Sequence, residues 1–193
     1  MPVISGGNVL PGGGGRIQSF AAGSPALGTT NAVHAALAVL GTGGPQVVST
    51  AITNPAVCRN VTATSAGTAA DIKAVQVTVY GTDINGVAIS EVLPIFTVDS
   101  ATTVVGSKAF ATVTSYSVPA MDGTGATVAI GTGAKLGLPS CLSRDSVEQV
   151  FLAGVREATR PTVTFSSTAV ESNTITLSSA LAGSAVIVDF YAS

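Results

Sequence analysis

Residues 73–93 read KAVQVTVYGTDINGVAISEVL, two extended runs separated by Asn85-Gly86. Val75, Val77 and Val79 alternate with other residues, so they share one face of a strand. Asn-Gly is the dipeptide that best tolerates positive φ at both central positions of a type I′ turn. The stretch therefore predicts a β-hairpin.

The same period of two continues on both sides of this hairpin, in segments rich in Val, Thr, Ile and Ser and separated by turn residues. About a dozen short strands at this spacing indicate an all-β fold, a β-sandwich of the jelly-roll or immunoglobulin-like kind. The predicted strands are 46–53, 59–65, 72–82, 87–93, 95–98, 102–105, 109–118, 127–130, 147–155, 162–166, 173–177 and 185–191.

The first 45 residues differ in composition from the rest. Gly, Pro, Ser and Ala dominate residues 1–30, including the run Pro11–Gly15, which indicates a flexible arm. Asn31, followed by Val33, Leu37 and Leu40 at helical spacing, predicts one short helix over 31–40. We therefore divide the chain into an arm at 1–45 and a β-sandwich domain at 46–193, with a sub-boundary considered near 140–146.

The charge content excludes several classes of function. Only 9% of the 193 residues are charged, and the net charge is -2. Eight scattered basic residues cannot neutralise a row of phosphates, so no nucleic-acid partner is expected. Mean hydropathy is +0.55, but no apolar run approaches the roughly 18 residues of a membrane span, so no membrane partner is expected either. The opening residues lack the pattern of a signal peptide.

The residues that carry chemistry are few and scattered. His34 is the only histidine, and no G-x-S-x-G elbow accompanies it. The acidic residues stand singly, without the spacing of a metal site, and the Gly-rich segments lack a P-loop pattern. Cys58 and Cys141 are interpreted as small buried hydrophobes. We expect no catalytic residues, no cofactor and no metal, and therefore no enzyme.

Two groups of residues are candidates for an interface. Arg144, Arg156 and Arg160 belong to a cluster of charges in a chain otherwise almost free of them, and such a cluster can fix the register of a neighbouring subunit. In the arm, Ile17 and Phe20 are apolar side chains that a solvated linker does not need. They are predicted to pack on a neighbouring chain in an assembly, with the arm mobile before assembly. A surface so poor in charge also suggests that much of it is covered.

Several phrases of the sequence resemble small β-rich virion proteins of tailed bacteriophages. The opening MPVISGGN and the ending VIVDFY at 186–191 are also similar to phage head and tail accessory proteins. The stretches that carry the resemblance best are 54–62 (NPAVCRNVT), 77–86 (VTVYGTDING), 105–115 (VGSKAFATVTS) and 130–139 (IGTGAKLGLP).

The resemblance implies a non-enzymatic capsid decoration or cement protein, assembled in the host cytoplasm onto the exterior of the virion. Its implied partners are the major capsid protein and further copies of itself, as a homotrimer. A tail-tube, neck or collar component is the alternative position in the virion. A glycan-binding adhesin module is the alternative from another class, although the chain has no Trp and only 5% aromatic residues.

Overall fold

The computed structural model describes residues 16–191 and confirms the all-β prediction. This part of the chain contains fourteen strands and two single-turn 3-10 helices, Ala69–Asp71 and Val170–Ser172. The strands are β1 Ile17–Gly23, β2 His34–Ala38, β3 Gln46–Val48, β4 Arg59–Gly67, β5 Thr78–Thr82, β6 Ala88–Val92, β7 Thr103–Phe110, β8 Thr112–Val118, β9 Ala126–Gly137, β10 Val147–Leu152, β11 Val155–Arg156, β12 Thr162–Thr164, β13 Thr174–Thr176 and β14 Val186–Tyr191.

The strands form three antiparallel sheets. The terminal sheet has the order β1-β14-β10-β11 and contains the first and last strands. The central sheet has the order β12-β13-β9-β4-β7, with β2 also paired to β9. The outer sheet has the order β3-β8-β5-β6. Sheets stacked in this way bury one face of each, as expected for a β-sandwich.

Two hydrophobic cores lie between these sheets, and β9 contributes to both. The first core joins the outer sheet to one part of the central sheet, and the second joins the terminal sheet to the other part. Ile130 of β9 belongs to the first core and Leu136 of the same strand to the second. The change of core therefore falls within β9, ahead of the sub-boundary considered near 140–146. Further members are Val61, Val79, Phe110 and Tyr116 in the first core, and Ile175, Val188 and Phe190 in the second.

The predicted hairpin is present as β5 and β6, but its turn is not type I′. Gly86 has φ of 78°, whereas Asn85 is not among the residues with positive φ. The Gly86 N–H donates to the Asp83 carbonyl at 3.1 Å, and the Asp83 N–H donates to the Val87 carbonyl at 2.9 Å. The Asp83 carboxylate also accepts the N–H of Asn85 and of Val87. The connection is a three-residue loop that ends in a left-handed glycine.

The helix predicted over 31–40 is wrong, because these residues contain β2. The N–H groups of Val33 and Val39 donate to the carbonyls of Ile130 and Ala126 in β9. Both valines are buried in the first core, while Leu40 of the helical pattern is half exposed. A helix of three turns is marginal in water by itself, so pairing with β9 and burial of two valines decide the conformation.

The prediction of a free arm is also corrected where the structure describes it. Residues 17–23 form β1, which pairs with β14 of the same chain from Ile17↔Tyr191 to Gly23↔Val186. The following segment is held against β9 by the buried Arg59, which donates to the Ala26 and Gly133 carbonyls. Burial lowers the pKa of this guanidinium, because the charged form loses hydration there. The Pro11–Gly15 run lies outside the described residues.

Candidate interaction surface

The outward face of the outer sheet is a cross-strand surface of small polar and apolar side chains. Val47 is opposite Ser117, Ser117 is opposite Thr78, and Thr78 is opposite Val92. These four residues therefore form one row across all four strands. In the next row, Tyr80 lies between Ser90 and Ser115. We call these seven residues the charge-free face.

Strand alternation explains why this face points outward. Val79, Tyr116 and Val118 alternate with residues of the charge-free face and are fully buried in the first core. Their burial fixes the register, since a slip by one residue would exchange the buried and exposed sets. Val47 remains 66% exposed, Val92 57% and Tyr80 42%.

The four strands of the outer sheet carry a single charged side chain, Glu91. It is 8% exposed and is directed to β7, where it accepts hydrogen bonds from Ser107 and from the Lys108 N–H. No charge is therefore left on the outward face. Surface strands of monomeric proteins usually carry charges that keep them soluble and block edge-to-edge pairing, so this face lacks that protection.

The edge that follows β6 extends the same kind of surface. Leu93 and Phe96 are buried, and their N–H groups donate to the carbonyls of Val77 and Val75 at 2.8 and 3.0 Å. Ile95 and Val98, on the other side of this segment, are more than half exposed. Exposed apolar residues that adjoin one another mark interaction sites more often than single ones do.

The charge cluster predicted from the sequence is partly assembled in the structure. Arg160 makes a two-pronged contact with Asp145, at 2.5 and 2.7 Å, and donates to the Val147 carbonyl at 2.8 Å. Arg156 and Arg160 line a cleft of about 170 Å³, together with Glu148 and Glu157. Arg144 is exposed and does not line it.

Two serines, Ser178 and Ser179, hold the carboxylate of Glu157. Its carboxylate accepts the Ser178 hydroxyl at 2.9 Å and the Ser179 N–H at 3.1 Å. Slight burial acts to raise the pKa of Glu157, but these hydrogen bonds outweigh it and lower the pKa below 4.5. The cleft therefore contains charges of both signs, and Arg160 and Glu157 among them already have partners.

Ile17 and Phe20 lie on β1 and differ in surroundings. Ile17 is 55% exposed, whereas Phe20 is partly buried and packs against the second core. Phe20 also lines a larger cleft of about 380 Å³, which Cys58 lines as well. Burial, and secondarily the negative charge of Asp83, raises the pKa of the Cys58 thiol to about 12. This thiol is therefore a poor nucleophile at neutral pH.

His34, the one histidine of the sequence, contacts Tyr116. The Tyr116 hydroxyl lies 2.9 Å from the imidazole Nδ1, and the two rings pack edge to face at 5.3 Å. Burial raises the pKa of Tyr116 to about 12, so the hydroxyl stays protonated. Within residues 16–191, no group of three or more His, Cys, Asp and Glu side chains is placed to hold a metal ion. The same part of the chain contains no helix that is long and apolar enough to span a membrane.

The charge-free face is the feature that sequence reasoning described least completely. Low charge and period-two alternation were visible in the sequence, but the row from Val47 to Val92 depends on pairing between strands far apart in sequence.

No protein-family model, curated protein or solved structure matches this chain.

Proposed function

We propose that the chain is a non-enzymatic structural protein of a tailed-bacteriophage virion that decorates the outside of the capsid and bridges subunits of the major capsid protein. The observation that carries the proposal is the charge-free face, an exposed sheet surface with no charged side chain. The stretches of sequence that resemble phage virion proteins are the reason for proposing a phage capsid as the assembly. A protein of this kind acts by contact over an area and needs no reactive group.

Binding alone gives such a protein its effect. A protein that binds only the assembled shell stabilises it by RT ln(1 + [L]/Kd), which is roughly 2.7 kcal/mol when the free concentration is 100 times Kd. An uncharged face loses little hydration energy when it is covered, whereas a charged face must find partners for each ion. The charge-free face therefore suits permanent burial.

The size of the face bears on how many copies act together. Four strands lie about 4.8 Å apart, and each rises about 3.3 Å per residue. Over the five residues of β5 and β6 this gives a surface of only about 300 Å². A stable interface buries roughly 800 Å² on each partner. One face is thus too small alone, so we include the edge at Ile95 and Val98 in the contact. Several copies acting together, such as the proposed homotrimer, would supply the remaining area.

Direct binding to particles tests the proposal. Purified protein is incubated with empty mature capsids and, separately, with tails of the phage that encodes it, and bound protein is measured by sedimentation and by gold labelling. We expect saturable binding to capsids. Binding to tails, with none to capsids, would instead favour the tube, neck or collar role and overturn decoration.

Variants locate the contact surface. Thr78→Lys and Ser90→Lys each place a charge on the charge-free face without entering the core, and we expect capsid affinity to fall at least tenfold. Thr159→Lys is the matched control, because Thr159 is exposed in the charged cluster. If the control and the face variants lose affinity equally, the charge-free face is not the contact.

A further inference from the structure

The cleft of about 380 Å³ lies between the second half of β1 and residues 55–58. Phe20, Val57 and Ile84 supply its larger apolar side chains, and no Asp, Glu, Lys or Arg lines it. None of its described lining residues belongs to β14, the one strand that pairs with β1. The cleft is therefore bounded by β1 and residues 55–58 and not by the strand that pairs with β1.

β1 is an edge strand whose outer backbone groups have no strand partner within residues 16–191. Such an edge accepts an extended peptide as an additional strand, with backbone hydrogen bonds providing affinity and adjacent pockets providing specificity. The edge and the cleft together suit an uncharged extended segment that carries one or two apolar side chains.

The chain itself has a segment of this chemistry. The fifteen residues that precede Arg16 include no charged residue, and Val3, Ile4, Val9 and Leu10 are apolar. Residues 3–10 would extend about 26 Å as a strand, close to the roughly 23 Å of the seven-residue β1. Neutral character and length thus match this segment to the cleft and edge.

We propose that residues 3–10 of one copy dock along β1 and into the cleft of a second copy. The Pro11–Gly15 run favours exchange between copies over return to the same chain. Return requires four consecutive glycines to be fixed in a closed turn, and glycine loses the most backbone entropy on ordering. In exchange, the run only has to span a gap of up to about 17 Å. This exchange rests on the proposed function, because it is the contact that would join copies of the chain in the proposed assembly.

Disulfide trapping between two full-length variants tests the exchange without capsids. Ile4→Cys is placed in one chain and Ala56→Cys in another, because Ala56 is exposed and lines the cleft. Both chains carry Cys58→Ala, so that the native thiol of the cleft cannot capture the new one. The chains are mixed over a concentration series, oxidised mildly and separated without reductant. The control pairs Ile4→Cys with Ala158→Cys, an exposed position outside this cleft.

We expect the 4–56 mixed disulfide to form at least ten times more than the 4–158 disulfide and to increase with concentration. Equal yields would overturn the proposal. A double variant with both cysteines in one chain would also overturn it if the disulfide formed only within that chain. If the mixed disulfide forms but the protein does not bind capsids, the exchange stands and the proposed function is wrong. If the protein binds capsids but the disulfide does not form, the proposed function stands and the exchange is wrong.

Discussion

The carboxylate of Glu91 on β6 accepts the backbone N–H of Ser107 on β7 at 2.6 Å and the Ser107 hydroxyl at 2.8 Å. β6 is the edge of the outer sheet and β7 the edge of the central sheet, so this contact closes one side of the first core. The geometry is tight, because a Cβ added at Gly106 would lie 2.7 Å from the same carboxylate.

Glu91→Ala is expected to lower the free energy of unfolding by about 2 kcal/mol, since it leaves the N–H groups of Ser107 and Lys108 without their acceptor. Urea unfolding should show a lower midpoint with an unchanged m-value. Glu148→Ala, which removes an exposed carboxylate, should change stability by no more than about 0.5 kcal/mol. Equal effects of the two substitutions would contradict the role of Glu91.

Ala153→Asn is expected to stabilise the protein. Ala153 and Gly154 connect β10 to β11, and their φ values are 53° and 77°. Asparagine tolerates this left-handed conformation better than alanine does, so we expect a gain of roughly 0.5 kcal/mol, visible as a higher Tm. Ala158→Asn serves as the comparison, because Ala158 is exposed and lacks a positive φ. A lower Tm for Ala153→Asn would refute the argument.

Stability is expected to fall as the pH rises above 9. The folded chain keeps the Cys58 proton until about pH 12, whereas the unfolded thiol loses it near its ordinary pKa of 9.0. The unfolded state thus binds fewer protons in this range, and stability decreases by at most about 1.4 kcal/mol per pH unit. Tyr116, whose pKa is raised from 10.0 to about 12, adds to the loss above pH 10.

Cys58→Ala isolates the contribution of the thiol. Between pH 8 and pH 10, the original chain should lose about 1 kcal/mol more stability than the variant, since only the original chain has the Cys58 thiol to ionise on unfolding. Urea titrations at the two pH values measure the difference. Parallel losses in both proteins would show that Cys58 does not titrate as described.

Asn173→Ala is expected to be among the most destabilising single substitutions, at about 3 kcal/mol. Asn173 is fully buried, and its amide accepts the N–H of Leu142 and Ser166 and donates to the carbonyls of Ser166 and Ala169. Alanine would leave these groups buried without partners. Thermal unfolding should detect the loss, while the exposed Asn31→Ala should change Tm little.

The all-β class could be predicted from the sequence, because strands with one buried face show a local alternation of apolar and polar residues. The last strand, predicted at 185–191, is found as β14 at Val186–Tyr191, with Val186, Val188 and Phe190 buried. The prediction of a helix at 31–40 was wrong because the strand that pairs with this segment, β9, lies nearly a hundred residues away in the sequence. Asn173 could not be identified in advance, since its partners come together only in the fold.

Glycines account for another difference between the predicted and the observed strands. The sequence predicted a strand only at 127–130, but β9 continues to Gly137. A Cβ at Gly131 would lie 2.1 Å from the Thr29 carbonyl oxygen, and one at Gly133 would lie 2.4 Å from the Asn60 side chain. These glycines mark close approach of other segments to a strand, a role that composition cannot separate from a turn.

The course of β9 through both cores has a mechanical consequence. A force that opens the terminal sheet loads the end of β9 near Leu136 and is carried along the same strand to Ile130 and the first core. The β4–β9 ladder runs from Arg59↔Leu136, beside the second core, to Gly67↔Ala126 in the first. One continuous strand thus links the two cores, so a load on one core reaches the other along the backbone of β9.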